Sequence, residues 1–117
     1  MRILNDSLID SPLNITTAWQ SEPINLSHIA HYSIQLAFSA ASGSVYLEVS
    51  NDVPKVDNRS PSSTQITNWT TVAGSTQSLS ANGTGLYDVE NTGYSWVRVT
   101  ISGVLSLDSA RINGKGV

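Results

Sequence analysis

The 117-residue chain contains no cysteine, which excludes disulfide scaffolds, thiolate metal sites and cysteine nucleophiles. Charge is also scarce: Asp, Glu, Lys and Arg make up 13% of the residues, about half the usual share. The net charge is −3 and the six basic residues are scattered, which argues against a nucleic-acid partner. No apolar run has the length of a membrane span or of a signal peptide, so we expect no membrane partner.

Small polar residues take the place of the charged ones. The chain has 19 Ser, 10 Thr and 9 Asn, which suit strands and turns better than helix interiors. Helical periodicity is nearly absent, and "NLSHIAHY" at residues 25–32 is long enough only for a single turn before a strand. Elsewhere apolar residues recur with a period of two, which is typical of strands.

The alternation predicts about eight short strands, at residues 13–19, 32–38, 45–50, 69–72, 76–80, 86–89, 95–102 and 105–112. Turn signals separate them: "SAASGS" at 39–44, which makes 32–50 a hairpin, Asn82-Gly83, and "ENTG" at 90–93. The alternation slips between Leu107 and Ala110, which indicates a β-bulge. The prediction is a single antiparallel β-sandwich or jelly roll over residues 13–117, with no second domain.

Two segments lack the strand pattern. Residues 1–12 are interpreted as an N-terminal arm whose apolar side chains, Ile3, Leu4, Leu8 and Ile9, have no evident partner strand and are free to bind a neighbouring protein. A first strand of the same sandwich, or a disordered tail, is the alternative. Residues 52–67 form a long loop with two prolines, of a length that is uncommon in compact domains unless the loop is functional or mobile.

The stretch "GYSWVRVTISG" at residues 93–103 separates two strand faces. One face is β-branched and apolar, with Val97, Val99 and Ile101, and we expect it in the core. We expect six apolar residues that alternate in the same way at 32–50 to join it there: Ile34, Leu36, Phe38, Val45, Leu47 and Val49. Trp96 and Arg98 lie on the other face. Tryptophan and arginine are both common in protein interfaces, so this face is a candidate surface for contact with a partner. The alternative for Arg98 is a cross-strand pair with Asp88 or Glu90, or stacking on an aromatic ring.

No set of residues points to catalysis or to a metal. His28 and His31 have a spacing that suits metal ligands, but polar residues at a strand entrance are the simpler interpretation. Glu48 and Asp88 are the candidates for a hydrolytic carboxylate pair, and solvated strand charges are the simpler interpretation again. Four aromatic residues are candidates for a sugar-stacking surface or for a buried cluster: Trp69, Tyr87, Tyr94 and Trp96. We therefore expect no enzyme activity, no cofactor and no metal.

Four local patterns carry a family resemblance: "VYLEVSND", "NWTTVAGS", "GYSWVRVTISG" and the final "SARINGKGV". Together, over residues 32–117, they resemble small β-sandwich virion proteins of tailed bacteriophages, which decorate the capsid or join parts of the particle. The spacing between the first two patterns is longer here, because residues 52–67 intervene. The same patterns are similar to discoidin-like galactose-binding jelly rolls, whose fold also supports carbohydrate binding.

The first resemblance implies a capsid decoration protein, located on the virion surface, that binds the major capsid protein or other virion proteins and forms a trimer or dimer. The residues expected to contact these partners are Ile3, Leu4, Leu8, Ile9, Trp96 and Arg98. The second resemblance implies a carbohydrate-binding module of a phage tail or fibre, with a glycan as partner. The two functions share one fold, so the fold does not choose between them.

Overall fold

The computed structural model describes residues 3–51, 66, 68–91 and 93–116. These residues form one antiparallel sheet and contain no helix, which confirms the all-β prediction. None of the described residues lies in a helix that is long and apolar enough to cross a membrane. The strands are β1 (Ile3–Ser7), β2 (Leu13–Ile15), β3 (Ala18–Gln20), β4 (Ile24–Asn25), β5 (Ile29–Ser50), β6 (Thr70–Thr71), β7 (Gln77–Glu90) and β8 (Trp96–Gly116).

Two long strands organise the sheet. β8 pairs on one side with β1, β2, β3 and β4 in turn, and on the other side with β5 along nearly its whole length. On its far side β5 pairs with β7 and, near its end, with β6. The sheet therefore has two halves, and β5, β7 and β8 run through both. The amino half contains β1 and the start of β5. The carboxy half contains β3, β4, β6 and the end of β5.

The long strands bend sharply between the two halves. A straight strand of 22 residues, the length of β5, would extend about 70 Å, whereas the longest dimension of the molecule is 38 Å. The bend lies where Gly43 and Gly103 are direct cross-strand partners, and Gly103 has a φ of +132°. A Cβ atom on Gly43 would lie 2.9 Å from the Cα of Gly103, so only glycine permits this close approach of backbones.

Bulges keep the same face of each strand in the core through the bend. In β5 the register shifts between Phe38 and Ala41, so even-numbered residues point inward before the shift and odd-numbered residues after it. Ala40 has a φ of 51° in this bulge, and its backbone N donates a 3.0 Å hydrogen bond to Oδ1 of Asn82 on β7. In β8 the pairing skips Asp108, which confirms the bulge predicted between Leu107 and Ala110.

The folded sheet encloses one hydrophobic core with residues from both halves. All nine predicted core residues are buried in it, from Ile34, Leu36 and Phe38 to Val97, Val99 and Ile101. Tyr87 is also buried there, and its hydroxyl lies 2.6 Å from the carbonyl oxygen of Ser75 and 3.1 Å from that of Val45. Burial raises the pKa of both Tyr32 and Tyr87 to about 12.

The predicted strand divisions are partly wrong. Residues 32–50 are not a hairpin, since both parts of β5 pair with β8 and β7 rather than with each other. The small residues at 39–44 bend one continuous strand instead of reversing the chain. The predicted turn at Asn82-Gly83 is likewise absent, because both residues lie inside the continuous strand β7. Gly103, which was predicted to separate two strands, lies inside β8. Turn-forming residues at these positions serve bulges and bends, which use the same backbone conformations as turns.

Two of the predicted connections are confirmed. Residues 25–29 make a single turn into β5, in which Ile29 N donates to Leu26 O at 3.0 Å. Between β7 and β8, Oδ1 of Asn91 accepts hydrogen bonds from the backbone N of Gly93 and of Tyr94, at 3.2 and 3.0 Å. An asparagine side chain therefore closes the predicted turn.

Candidate functional site

The outer face of the amino half carries a row of polar side chains across four adjacent strands. Asn5 on β1 is opposite Asn113 on β8, which is opposite Ser33 on β5, which is opposite Asp88 on β7. These four residues are called the polar row. Neighbouring strands are about 4.8 Å apart, so the row is about 14 Å long. Its side chains supply amide, hydroxyl and carboxylate groups, which include both donors and acceptors of hydrogen bonds.

The polar row lies in a groove with a volume of about 420 Å³. Ile3 and Leu4 of β1 line one end of it, and His31 and Lys115 flank the row. Pockets for small ligands have a similar size range, about 300–1,000 Å³, and combine apolar walls with a few convergent polar groups. The groove therefore has the dimensions and the composition of a binding site.

Internal contacts hold both ends of the row. Nη2 of Arg111 donates a 3.0 Å hydrogen bond to Oδ1 of Asn5, which leaves the Asn5 amide nitrogen available to donate. At the other end, Nε2 of His31 contacts Oδ1 of Asp88, and both side chains are more than half exposed. Asn113 and Ser33, between them, make no side-chain hydrogen bond to any of the described residues.

The outer face of the carboxy half carries a different cluster, built around Arg98. Its Nε donates a 3.0 Å hydrogen bond to Oε1 of Glu48, which also accepts a 2.6 Å hydrogen bond from the Thr100 hydroxyl. The Arg98 guanidinium lies 4.2 Å from the centre of the Trp69 ring, whose Nε1 donates to Ile66 O at 2.9 Å. The Arg98 and Glu48 side chains are only 11% and 13% exposed.

The Arg98 cluster is thus closed and structural. Its ion pair is a cross-strand pair, as the alternative interpretation of Arg98 expected, but the partner is Glu48 instead of Asp88 or Glu90. The alternative of stacking on an aromatic ring is also observed, with Trp69 as the ring. Trp96 and Ile66 are both buried but lie outside the main core cluster, so this outer face has a small buried layer of its own. The remainder of the predicted 52–67 loop, residues 52–65 and 67, lies outside the described residues.

The predicted partner-binding residues do not form one exposed surface. Trp96 lies on the outer face but is only 5% exposed, and Arg98 is held by Glu48, so their contact with a partner stays a prediction. The arm was expected to lack a partner strand, but residues 3–7 pair with β8, as the alternative interpretation had it. Leu4, Leu8 and Ile9 pack against the core, because β1 lies on the same sheet, and only Ile3 is largely exposed.

The other candidate residues are also separated. Glu48 and Asp88 lie in the carboxy and amino halves, each with its own partner, so they form no hydrolytic pair. His28 lies in the turn before β5, whereas His31 contacts Asp88. The described residues contain no group of three or more potential metal ligands. Of the four aromatic residues, Tyr87 and Trp96 are buried, so the four do not form an exposed stacking surface.

Sequence reasoning missed the polar row. Each member follows the alternation of its own strand, so the pattern does mark Asn113 or Ser33 as outward-facing. The row itself depends on the register of three strand pairs, and a one-residue slip in any of them would break it. No local signal in the sequence carries that register.

Comparison with known proteins identifies a shared fold. The crystal structure of SPBc2 prophage-derived protein YomS matches with a TM-score of 0.62 and 11% sequence identity, over 97% of this chain and 92% of that chain. At this identity the match shows the fold and no more. No family model matches the sequence. No curated protein matches it either.

Proposed function

We propose that the chain is a structural protein of a bacteriophage particle, and that it acts as a capsid decoration protein on the assembled head. The observation that carries this proposal is the fold shared with a prophage-derived protein over almost the entire length of both chains. The resemblance of residues 32–117 to small virion β-sandwiches supports it independently, because that resemblance rests on sequence patterns.

The physical character of the surface fits this role. With 13% charged residues, the chain has little of the charge repulsion that keeps proteins apart in solution. Large apolar side chains remain exposed at Ile3, Leu86, Tyr94 and Val104. They are candidates for contact with the major capsid protein or with further copies of this chain in a trimer or dimer. Many weak contacts on one shell act together through avidity. In this role the domain has no catalytic function.

Counting copies of the chain in purified particles tests the proposal. Quantitative mass spectrometry of phage particles is expected to find hundreds of copies per head. Particles that lack the chain are expected to release their DNA at a lower temperature than complete particles, and added purified chain should restore the difference. A handful of copies would instead place the chain in the tail or a fibre. Absence of the chain from particles would refute a structural role altogether.

A further inference from the structure

We propose that the groove over the polar row binds a neutral saccharide. The inference does not depend on the proposed virion role, since it rests on the geometry of one face of the sheet. Four hydrogen-bonding side chains lie in register there, in a groove of about 420 Å³.

The chemistry of the row matches a ligand rich in hydroxyl groups. A sugar hydroxyl both donates and accepts, so it is best met by groups of both kinds. The Asn5 amide nitrogen donates, the Asp88 carboxylate accepts, and Asn113 and Ser33 do both. Asn113 and Ser33 make no side-chain hydrogen bond among the described residues, so a ligand would not have to displace an internal partner there.

The walls of the groove supply apolar contact. Ile3 is 73% exposed and lies on the same face of β1 as Asn5, whereas Leu4 packs against the core. The Ile3 side chain can cover the C–H groups of a sugar ring, while the polar row beside it binds the hydroxyls. Burial of apolar surface contributes about 25 cal/mol per Å², which adds to the hydrogen bonds.

The balance of charge favours a neutral ligand. Asp88, which is 70% exposed at its side chain, places a carboxylate at one end of the row, where it would repel an anion. Lys115 and Arg111 supply cations on either side of the row, and His31 contacts Asp88. The two signs are mixed within a short distance, so the groove presents no concentrated field for an acidic polymer.

Nuclear magnetic resonance titration of the full chain tests this assignment. The probes are chitotriose, maltotriose and cellotriose, with trigalacturonate as the acidic comparison, each raised to about 10 mM so that a site with a Kd of about 1 mM is nearly saturated. We expect amide shifts from at least one neutral trisaccharide, confined to residues of β1, β5, β7 and β8 around the groove.

A matched pair of variants separates the groove from the rest of the face. Asn113→Ala removes a side chain at the centre of the row. We expect the Kd of this variant for the neutral trisaccharide to be at least about tenfold higher than that of the unchanged protein. Gln35→Ala changes an exposed residue two positions from Ser33 on the same face of β5, outside the groove, and should leave the Kd unchanged. Both spectra report folding directly. Shifts centred elsewhere, binding of trigalacturonate alone, equal Kd values for the two variants, or no binding by any probe would each overturn the proposal.

Discussion

The two ends of β8 present outward-facing arginines in contrasting environments. Arg98, in the carboxy half, is paired with Glu48, stacked on Trp69 and nearly buried. Arg111, in the amino half, is exposed and makes one hydrogen bond to Asn5. Both belong to the same strand and both alternate with core residues. The difference arises because Trp69 covers Arg98 beside a small buried layer, whereas the outer face near Arg111 forms an open groove.

The bend that joins the two halves should be the part of the fold most sensitive to substitution. Gly103→Val should abolish folding or cost more than about 4 kcal/mol, because its Cβ would lie 2.6 Å from the Cα of Gly43 and its φ of +132° excludes branched side chains. Urea denaturation measures the change. Gly83→Ala is the control, since its Cβ would make only ordinary contact with Phe38 at 3.5 Å. Equal stability of the two variants would mean that the glycine pair does not shape the bend.

The two arginines give the next largest difference. Arg98→Ala leaves the Glu48 carboxylate nearly buried without its cation, and should cost about 3–5 kcal/mol. Arg111→Ala removes an exposed contact and should change the free energy of unfolding by less than about 0.5 kcal/mol. Thermal denaturation of both variants measures the contrast. Similar losses of stability in the two variants would show that burial does not make the contacts of Arg98 more stabilising than the exposed contact of Arg111.

Alkaline pH should destabilise the protein, because Tyr32 and Tyr87 are buried in its core. Their pKa of about 12 in the folded protein exceeds the ordinary value of 10, because burial disfavours the phenolate. Their contribution is therefore complete below pH 10 and is lost as the pH rises from 10 to 12, by about 2 kcal/mol for each tyrosine. Denaturant titrations across this interval should show the loss, and Tyr87→Phe should reduce it. A stability that stays constant to pH 12 would contradict this.

The smallest effect concerns the cover over Arg98. Trp69→Ala removes the stacked ring and should cost about 1–2 kcal/mol, while the ion pair with Glu48 remains. Tyr94→Ala, which truncates an exposed aromatic residue, should cost less than about 0.5 kcal/mol. Chemical denaturation distinguishes the two. A cost for Trp69→Ala as small as that of the control would show that the ring only touches Arg98 without stabilising it.

Particular residues show how far the sequence predicts the fold. Alternation around Val97, Val99 and Ile101 correctly identifies a core face, because a strand alternates its side chains whatever it pairs with. The same alternation correctly places Trp96 and Arg98 on the opposite face, but it does not tell whether that face is covered or exposed. Exposure depends on what lies above a face, and Ile66 and Trp69 are more than 25 residues away from Trp96 in the chain.

Side-chain polarity over a few neighbouring positions is enough to predict the all-β class, nine of the core residues and the bulge near Asp108. It is not enough to predict that residues 32–50 form one bent strand, that β1 joins the sheet, or that Asn5, Asn113, Ser33 and Asp88 meet in one row. Small residues such as Gly43 permit a turn or a bend equally well. Which one forms depends on long-range pairing across the sheet, and that pairing is settled by the shared core.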